Sequence, residues 1–261
     1  MDAWIISIGN ELLIGRVVNT NAAWLAKKLT YLGIAVKRIV VVPDVEEEIV
    51  SVLREGLDKA DVIITTGGLG PTPDDMTNAA IAKAIGAELV VDPDAERWVS
   101  EKYRQRGYPM TPERLKMAQI PRGSRPLYNS AGVAPGIWAE VAGRIIVALP
   151  GVPREMEAIF EEQVEPLLKA RAPGRCFAED LFRLAGVPEA DLAPLIRDAL
   201  KLDPRIYVKS HPKGHETGAP LEEIHIYGSA ENCEEARRLV ELVKSALIRE
   251  ISTRFPQARI D

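Results

Sequence analysis

Cysteine is nearly missing from this chain: Cys176 and Cys233 are the only two in 261 residues. Their wide separation in sequence excludes a Cys-x-x-Cys zinc or redox motif and argues against a disulfide scaffold. Cys233 falls on the apolar face of a long helical pattern, so it reads as a core residue. An excess of positive charge is also missing, because 33 Lys and Arg stand against 38 Asp and Glu, a formal charge of −5. Such a chain has no broad field to hold a nucleic-acid backbone, although a local basic patch is compatible with it. No apolar run approaches the roughly 18 residues of a membrane span. The opening Met1-Asp2-Ala3-Trp4 lacks the basic region of a signal peptide. A cytoplasmic protein is expected. The histidines His211, His215 and His225 show no zinc-ligand spacing, and no Gly-x-Ser-x-Gly elbow offers an acyl-transfer serine.

What the chain does contain is ordinary globular material, 46% hydrophobic and 27% charged, long enough for about two domains. The first part alternates strand and helix patterns. Trp4 to Ile8, Ile34 to Val42 and Asp61 to Thr65 are apolar runs, separated by helical spacing through Leu25, Leu29 and Leu32 and through Ile49, Val52, Leu53 and Leu57. Continuous apolar strands between helices predict a doubly wound, mostly parallel α/β sheet. A helix is expected from about Met76 to Ile85, stopped by Gly86. Residues 95–106 and 113–119 read as helices, residues 121–136 as loop with one short strand, and Arg144 to Leu149 as another core strand. The boundary is placed so that residues 1–170 form the first domain and residues 171–261 a small α+β domain.

In a doubly wound sheet, ligands bind beyond the carboxyl ends of the strands. Three loops there are unusual: Gly9 to Gly15 running on to Asn19-Thr20-Asn21, then Pro43-Asp44, then Thr66-Gly67-Gly68-Leu69-Gly70 with Asp74 and Asp75. Glycines between strand and helix let backbone N–H groups approach a phosphate. The pattern is neither a Walker A loop nor a dinucleotide fingerprint. Glu11, Asp44, Asp74 and Asp75 reach the same edge, which points to a divalent ion such as Mg²⁺ between carboxylates and phosphate. Taken singly, Asp44 followed by Glu47 is also a capping-box pattern, and Asp75 precedes a helix as an N-cap would.

Three blocks, residues 9–22, 66–77 and 149–156 (the last reading Leu149-Pro150-Gly151-Val152-Pro153-Arg154-Glu155-Met156), resemble the signature blocks of the CinA family. The first domain is thereby similar to molybdopterin-binding domains. The second, with Tyr207 to Pro212, is similar to the KH-like domain that follows in that family. The resemblance implies a divalent-metal-dependent pyrophosphatase that hydrolyses ADP-ribose, or FAD, to release AMP. It implies Asp44 and Asp75 as the catalytic aspartates, a substrate site over Gly9, Asn19, Asn21, Thr66, Gly67, Gly68, Gly70, Pro150 and Gly151, and a homo-oligomer by analogy. Molybdopterin binding or adenylylation, and nucleotide binding without turnover, are the alternatives. Leu69 stands where molybdopterin enzymes usually carry Thr. The sequence stops at Asp261, so nicotinamide mononucleotide deamidase activity, the property of a further domain, is not expected. Nucleic acid and membrane are not expected partners.

Overall fold

The structure is a computed structural model and describes residues 1–261 apart from Pro173, residues 215–217 and Ala219. His215, one of the three histidines without zinc-ligand spacing, therefore lies outside the described residues. The chain divides into two compact units, residues 1–30 with 34–172, and residues 31–33 with 173–261.

In the first unit, β1 (Asp2–Ile8) leads through a single helical turn, α1 (Asn10–Leu13), into α2 (Thr20–Tyr31). Then follow β2 (Ala35–Val42), α3 (Glu46–Lys59), β3 (Val62–Thr66) and α4 (Thr77–Ile85). A peripheral segment comprises β4 (Leu89–Val91), α5 (Pro93–Gln105), α6 (Pro112–Lys116) and β5 (Gln119–Pro121). The chain returns to the main sheet with β6 (Arg125–Leu127), β7 (Gly136–Val141) and β8 (Arg144–Leu149). It closes on α7 (Pro153–Ile159), which continues through one wide turn at Phe160–Val164 into α8 (Glu165–Arg171).

The six-stranded sheet runs β2-β1-β3-β8-β7-β6. The first four strands are parallel, and β7 and β6 are antiparallel additions. The sheet is thus mixed, with a parallel half that carries the loops of interest. Strand β7 escaped the periodicity reading because Pro135 and Gly136 look like turn residues and the strand is short. It pairs with β8 through a tight connection in which Ala142 (φ 47°) and Gly143 (φ 80°) are both left-handed, the backbone that suits a two-residue hairpin. Trp4, Ile6 and Ile8 of β1 share one core with Ile49 and Leu53 of α3, Ile81 of α4 and Val99 of α5. Gly86 ends α4 in the left-handed conformation expected of a helix stop. The residues 113–119 expected as helix are instead split between α6 and β5, because Pro121 and the pairing of β5 with β4 extend the backbone.

In the second unit, β9 (Cys176–Ala185), α9 (Glu189–Ala199), β10 (Ile206–Pro212), β11 (Leu221–Ala230), α10 (Cys233–Arg254) and β12 (Arg259–Ile260) follow in order. The sheet order is β10-β11-β9-β12, antiparallel throughout. Burial alternates residue by residue along β11, the mark of a strand covered on one side only. Ile224 and Ile226 pack with Leu195 of α9 and Val243 and Leu247 of α10. The cysteine expectation is corrected here. Cys176 and Cys233 form a disulfide, Cα–Cα 4.9 Å, across 57 residues of sequence. The core assignment of Cys233 also fails: it is the first, exposed residue of α10. Distance along a chain does not limit distance in space once β11 and α10 bring the two positions together.

Candidate functional site

The three loops converge where strands β1, β2, β3 and β8 end. The β3–α4 loop makes the sharpest bend. Gly67 (φ 108°) and Gly68 (φ 67°) take backbone conformations that side chains resist. A Cβ at Gly67 would stand 2.2 Å from the Ile8 carbonyl oxygen, and one at Gly68 would stand 2.3 Å from Thr77 Oγ1. The bend is pinned by Gly67 N–H donating to the Leu149 carbonyl (3.0 Å), by Thr77 Oγ1 donating to the Gly67 carbonyl (2.8 Å) and by Thr77 N–H donating to the Gly68 carbonyl (3.1 Å).

Asp75 is not a helix cap. Its Oδ2 turns back to accept from Thr72 N–H (2.9 Å) and Thr72 Oγ1 (2.5 Å), while Met76 occupies the N-cap position of α4 without a side-chain bond. Gly70 permits this, since a Cβ there would lie 2.5 Å from the same carboxylate oxygen. Asp44 does not cap α3 either. Its Oδ2 accepts from Asn10 N–H at 2.8 Å, which ties the β2 loop to the start of α1, and Val45 precedes α3 without a side-chain bond. The remaining oxygen of each aspartate has no hydrogen-bond partner among the described residues. The Asp74 carboxyl is held below the usual carboxylate range, first by the Thr72 hydroxyl, which it shares with Asp75, then by its own backbone N–H and the Lys116 ammonium. Lys116 itself donates to the Thr72 carbonyl.

Two clefts meet along this loop. One, of about 420 Å³, is lined by Gly9, Glu11, Asp44, residues 67–71, Asp74, Asp75, Pro150, Gly151 and, opposite them, Tyr103, Met117, Val133 and Glu155. The other, of about 480 Å³, lies between the starts of α3 and α4 and reaches Asn78, Lys116 and Gln119. Asp44, Gly68, Leu69, Gly70 and Asp75 form the ridge common to both. Asn19 and Asn21 sit on a separate recess of about 90 Å³ that shares only Ile8, Glu11 and Gly151 with the larger cleft. Asn19 is committed to Ser7 and to Ala22 N–H. Asn21 Nδ2 donates to Thr66 Oγ1 and to the Gly151 carbonyl, both at 2.9 Å, and Thr66 Oγ1 donates to the Pro150 carbonyl. Asn21, Thr66 and Pro150 thus brace the strand ends. Among the described residues no group of three His, Cys, Asp or Glu side chains is arranged to hold a metal ion, so Glu11, Asp44, Asp74 and Asp75 share a rim without forming a cage.

Sequence reasoning missed the opposite wall. Asn129, 2% exposed, donates through Nδ2 to the Ala134 carbonyl (2.8 Å) and Glu155 Oε2 (2.7 Å), and its Oδ1 accepts from the N–H groups of Ala131 and Gly132. It folds residues 129–135 over the cleft and aims Glu155 into it. The only sequence signal was a row of turn residues, which says loop and nothing of its target. Asn129→Ala strands these partners in a buried place, at a cost of about 2 kcal/mol. The expected outcome is a lower melting temperature together with weaker ligand binding; a variant that melts lower but binds normally removes Asn129 from the site.

Residues 4–170 match the family described as a probable molybdopterin binding domain. A protein of Pyrobaculum arsenaticum is 62% identical over 259 residues, covering 96% of this chain and 98% of its own. One from Aeropyrum pernix is 50% identical, covering 90% and 88%. The crystal structure titled as the protein CinA with unknown function, from Thermoplasma acidophilum, is 46% identical with a TM-score of 0.61, and covers 64% of this chain and 97% of that one. With the glycine bend, the two aspartates and the cleft all inside the matched segment, the chain belongs to the family of probable molybdopterin-binding domains, and its first unit is CinA-like.

Proposed function

We propose that the cleft binds a phosphorylated ligand of the pterin or adenine-nucleotide type, with its phosphate on the Gly67 to Gly70 bend. The bend carries the reading: the positive φ of Gly67 and Gly68 turns the chain so sharply that the N–H groups of Gly68, Leu69 and Gly70 have no hydrogen-bond partner among the described residues, and they lie beside the start of α4, where an anion is favoured. The carboxylates Asp44 and Asp75 would repel that anion unless a cation lies between. A divalent ion of the Mg²⁺ kind uses one or two carboxylates and takes its other ligands from phosphate and water. The uncommitted oxygens of Asp44 and Asp75 suit that role. The ion would neutralise charge on the phosphate.

A second reading, hydrolysis of ADP-ribose, has Leu69 in its favour. An apolar residue in the middle of the phosphate bend brings no hydroxyl for a pterin-adenylylating reaction. Water would add across the phosphoanhydride to give AMP and ribose phosphate, with Asp44 and Asp75 as the catalytic pair. Titration calorimetry with ADP-ribose, FAD, AMP and a phosphorylated pterin, with and without Mg²⁺, tests binding; chromatographic detection of AMP tests turnover. Asp75→Asn keeps an acceptor for Thr72, and Asp44→Asn keeps one for Asn10, so both are expected to melt normally while losing Mg²⁺-dependent affinity at least tenfold, the scale of one charge-assisted contact. Unchanged affinity in both variants defeats the site. Binding without AMP release leaves a binding protein.

A further inference from the structure

The chain has few rings, with 4 Phe, 6 Tyr, 4 Trp and 3 His, yet one face of the second unit collects five of them. The helices α9 and α10 share a core with the inward side chains of the sheet. On the opposite face, alternation places Tyr207, Lys209 and His211 of β10, Glu223, His225 and Tyr227 of β11, and Phe177, Glu179, Leu181 and Arg183 of β9. The rings form a continuous row. Phe177 lies 5.8 Å from Tyr227, which lies 5.1 Å from Tyr207 and 4.9 Å from His225, and His211 is 6.3 Å from His225. Their planes are inclined by only 35–44° to one another, like overlapping tiles. Tyr31, grouped with this unit, meets Phe177 edge-on and ends the row.

Charge on this face is arranged to complement an anion. Glu179 is engaged by His225 Nε2 (2.9 Å) and Glu223 by Lys213 Nζ (3.4 Å). Lys209 and Arg183 are exposed, and among the described residues neither side chain has an ion-pair or hydrogen-bond partner. A chain of overall charge −5 therefore presents a local surface of tiled rings flanked by two uncommitted cations. Stacking on rings suits flat aromatic groups of any identity, and the cations suit the anionic links between them.

We propose that this face binds single-stranded nucleic acid, with bases stacked on Tyr207 and Tyr227 and backbone phosphates at Lys209 and Arg183. Each phosphate neutralised on a single strand contributes about −0.7 to the slope of log affinity against log salt, so two contacts give a slope of about −1.4. The test is fluorescence anisotropy of labelled oligo-dT and oligo-rU with the full chain across a salt series, and the two arms distinguish DNA from RNA. Tyr207→Ala is expected to weaken binding about tenfold, the usual loss for one base-stacking ring, without changing the melting temperature, since Tyr207 is 47% exposed. Lys209→Ala is expected to flatten the slope by about 0.7. The proposal is overturned if neither oligonucleotide binds below about 100 µM at low salt, the weak end of non-specific binding. It is equally overturned if binding survives both substitutions unchanged, or if the chain sediments with anionic phosphatidylserine vesicles in a Tyr207-dependent way while ignoring the oligonucleotides, which would assign the face to a membrane surface.

Discussion

Replacing both Cys176 and Cys233 with serine, or reducing the disulfide, is expected to lower the stability of the second unit by about 4 kcal/mol. This is the chain-entropy value for a closed loop of this size, and its entropic origin is model-dependent. The bridge joins the first residue of an edge-proximal strand to the first residue of the helix that covers the sheet, so the untethered chain gains freedom in the two segments that must dock to close the core. For a unit of this size the loss corresponds to on the order of 20 °C in melting temperature. Calorimetry of the full chain with and without reductant, beside the double serine variant, reads it directly. Coincident transitions in all three samples show that the bridge adds nothing. Because Cys233 is exposed at the first residue of α10, mild dithiol treatment should open the bridge without denaturant.

Gly67→Ala is the change expected to damage the first unit most. The φ of 108° costs a side-chain-bearing residue about 1–3 kcal/mol. The added methyl would also meet a backbone oxygen, Ile8 O, at 2.2 Å, with no rotamer to move aside. Relief requires the ends of β1 and β3 to part, which opens the sheet where the glycine bend begins. A total near 4 kcal/mol is expected, read as a lower denaturation midpoint and loss of ligand binding. Gly68→Ala meets only the Thr77 hydroxyl, a group that can swing away at the expense of one hydrogen bond to Gly67, so it should cost about half as much. Equal, near-zero effects for the two would mean that the bend is not fixed by these contacts.

The strands and helices of the parallel half were legible because their signals are local: apolar runs in β1 and β3, and helical spacing with a glycine stop in α4. The glycine bend and its two aspartates were legible for the same reason. What Asp75 and Asp44 do with their oxygens was not, because a capping box and a long-range tie use the same residue types, and only the fold shows that Thr72 and Asn10 are the donors. Asn129 and Glu155 were hidden by distance in sequence, as was the disulfide. The antiparallel strand β7 was obscured by Pro135 and Gly136, turn-forming residues that here mark the entry to a strand, whereas β6 answers to the one short strand expected within residues 121–136. The ring face of the second sheet could be read only after β9, β10 and β11 were set in register, since its members come from three separate segments.

The ridge common to the two clefts has a consequence for competition. Asp44, Gly68, Gly70 and Asp75 border both spaces, so two small molecules of unlike shape, each filling a different cleft, would contend for one anion seat and displace each other although their bodies never overlap. Binding would look competitive for chemically unrelated compounds. A single compound carrying one phosphate and an arm on each side would escape that contest, and its affinity should exceed that of either half by the effective concentration the shared anchor confers.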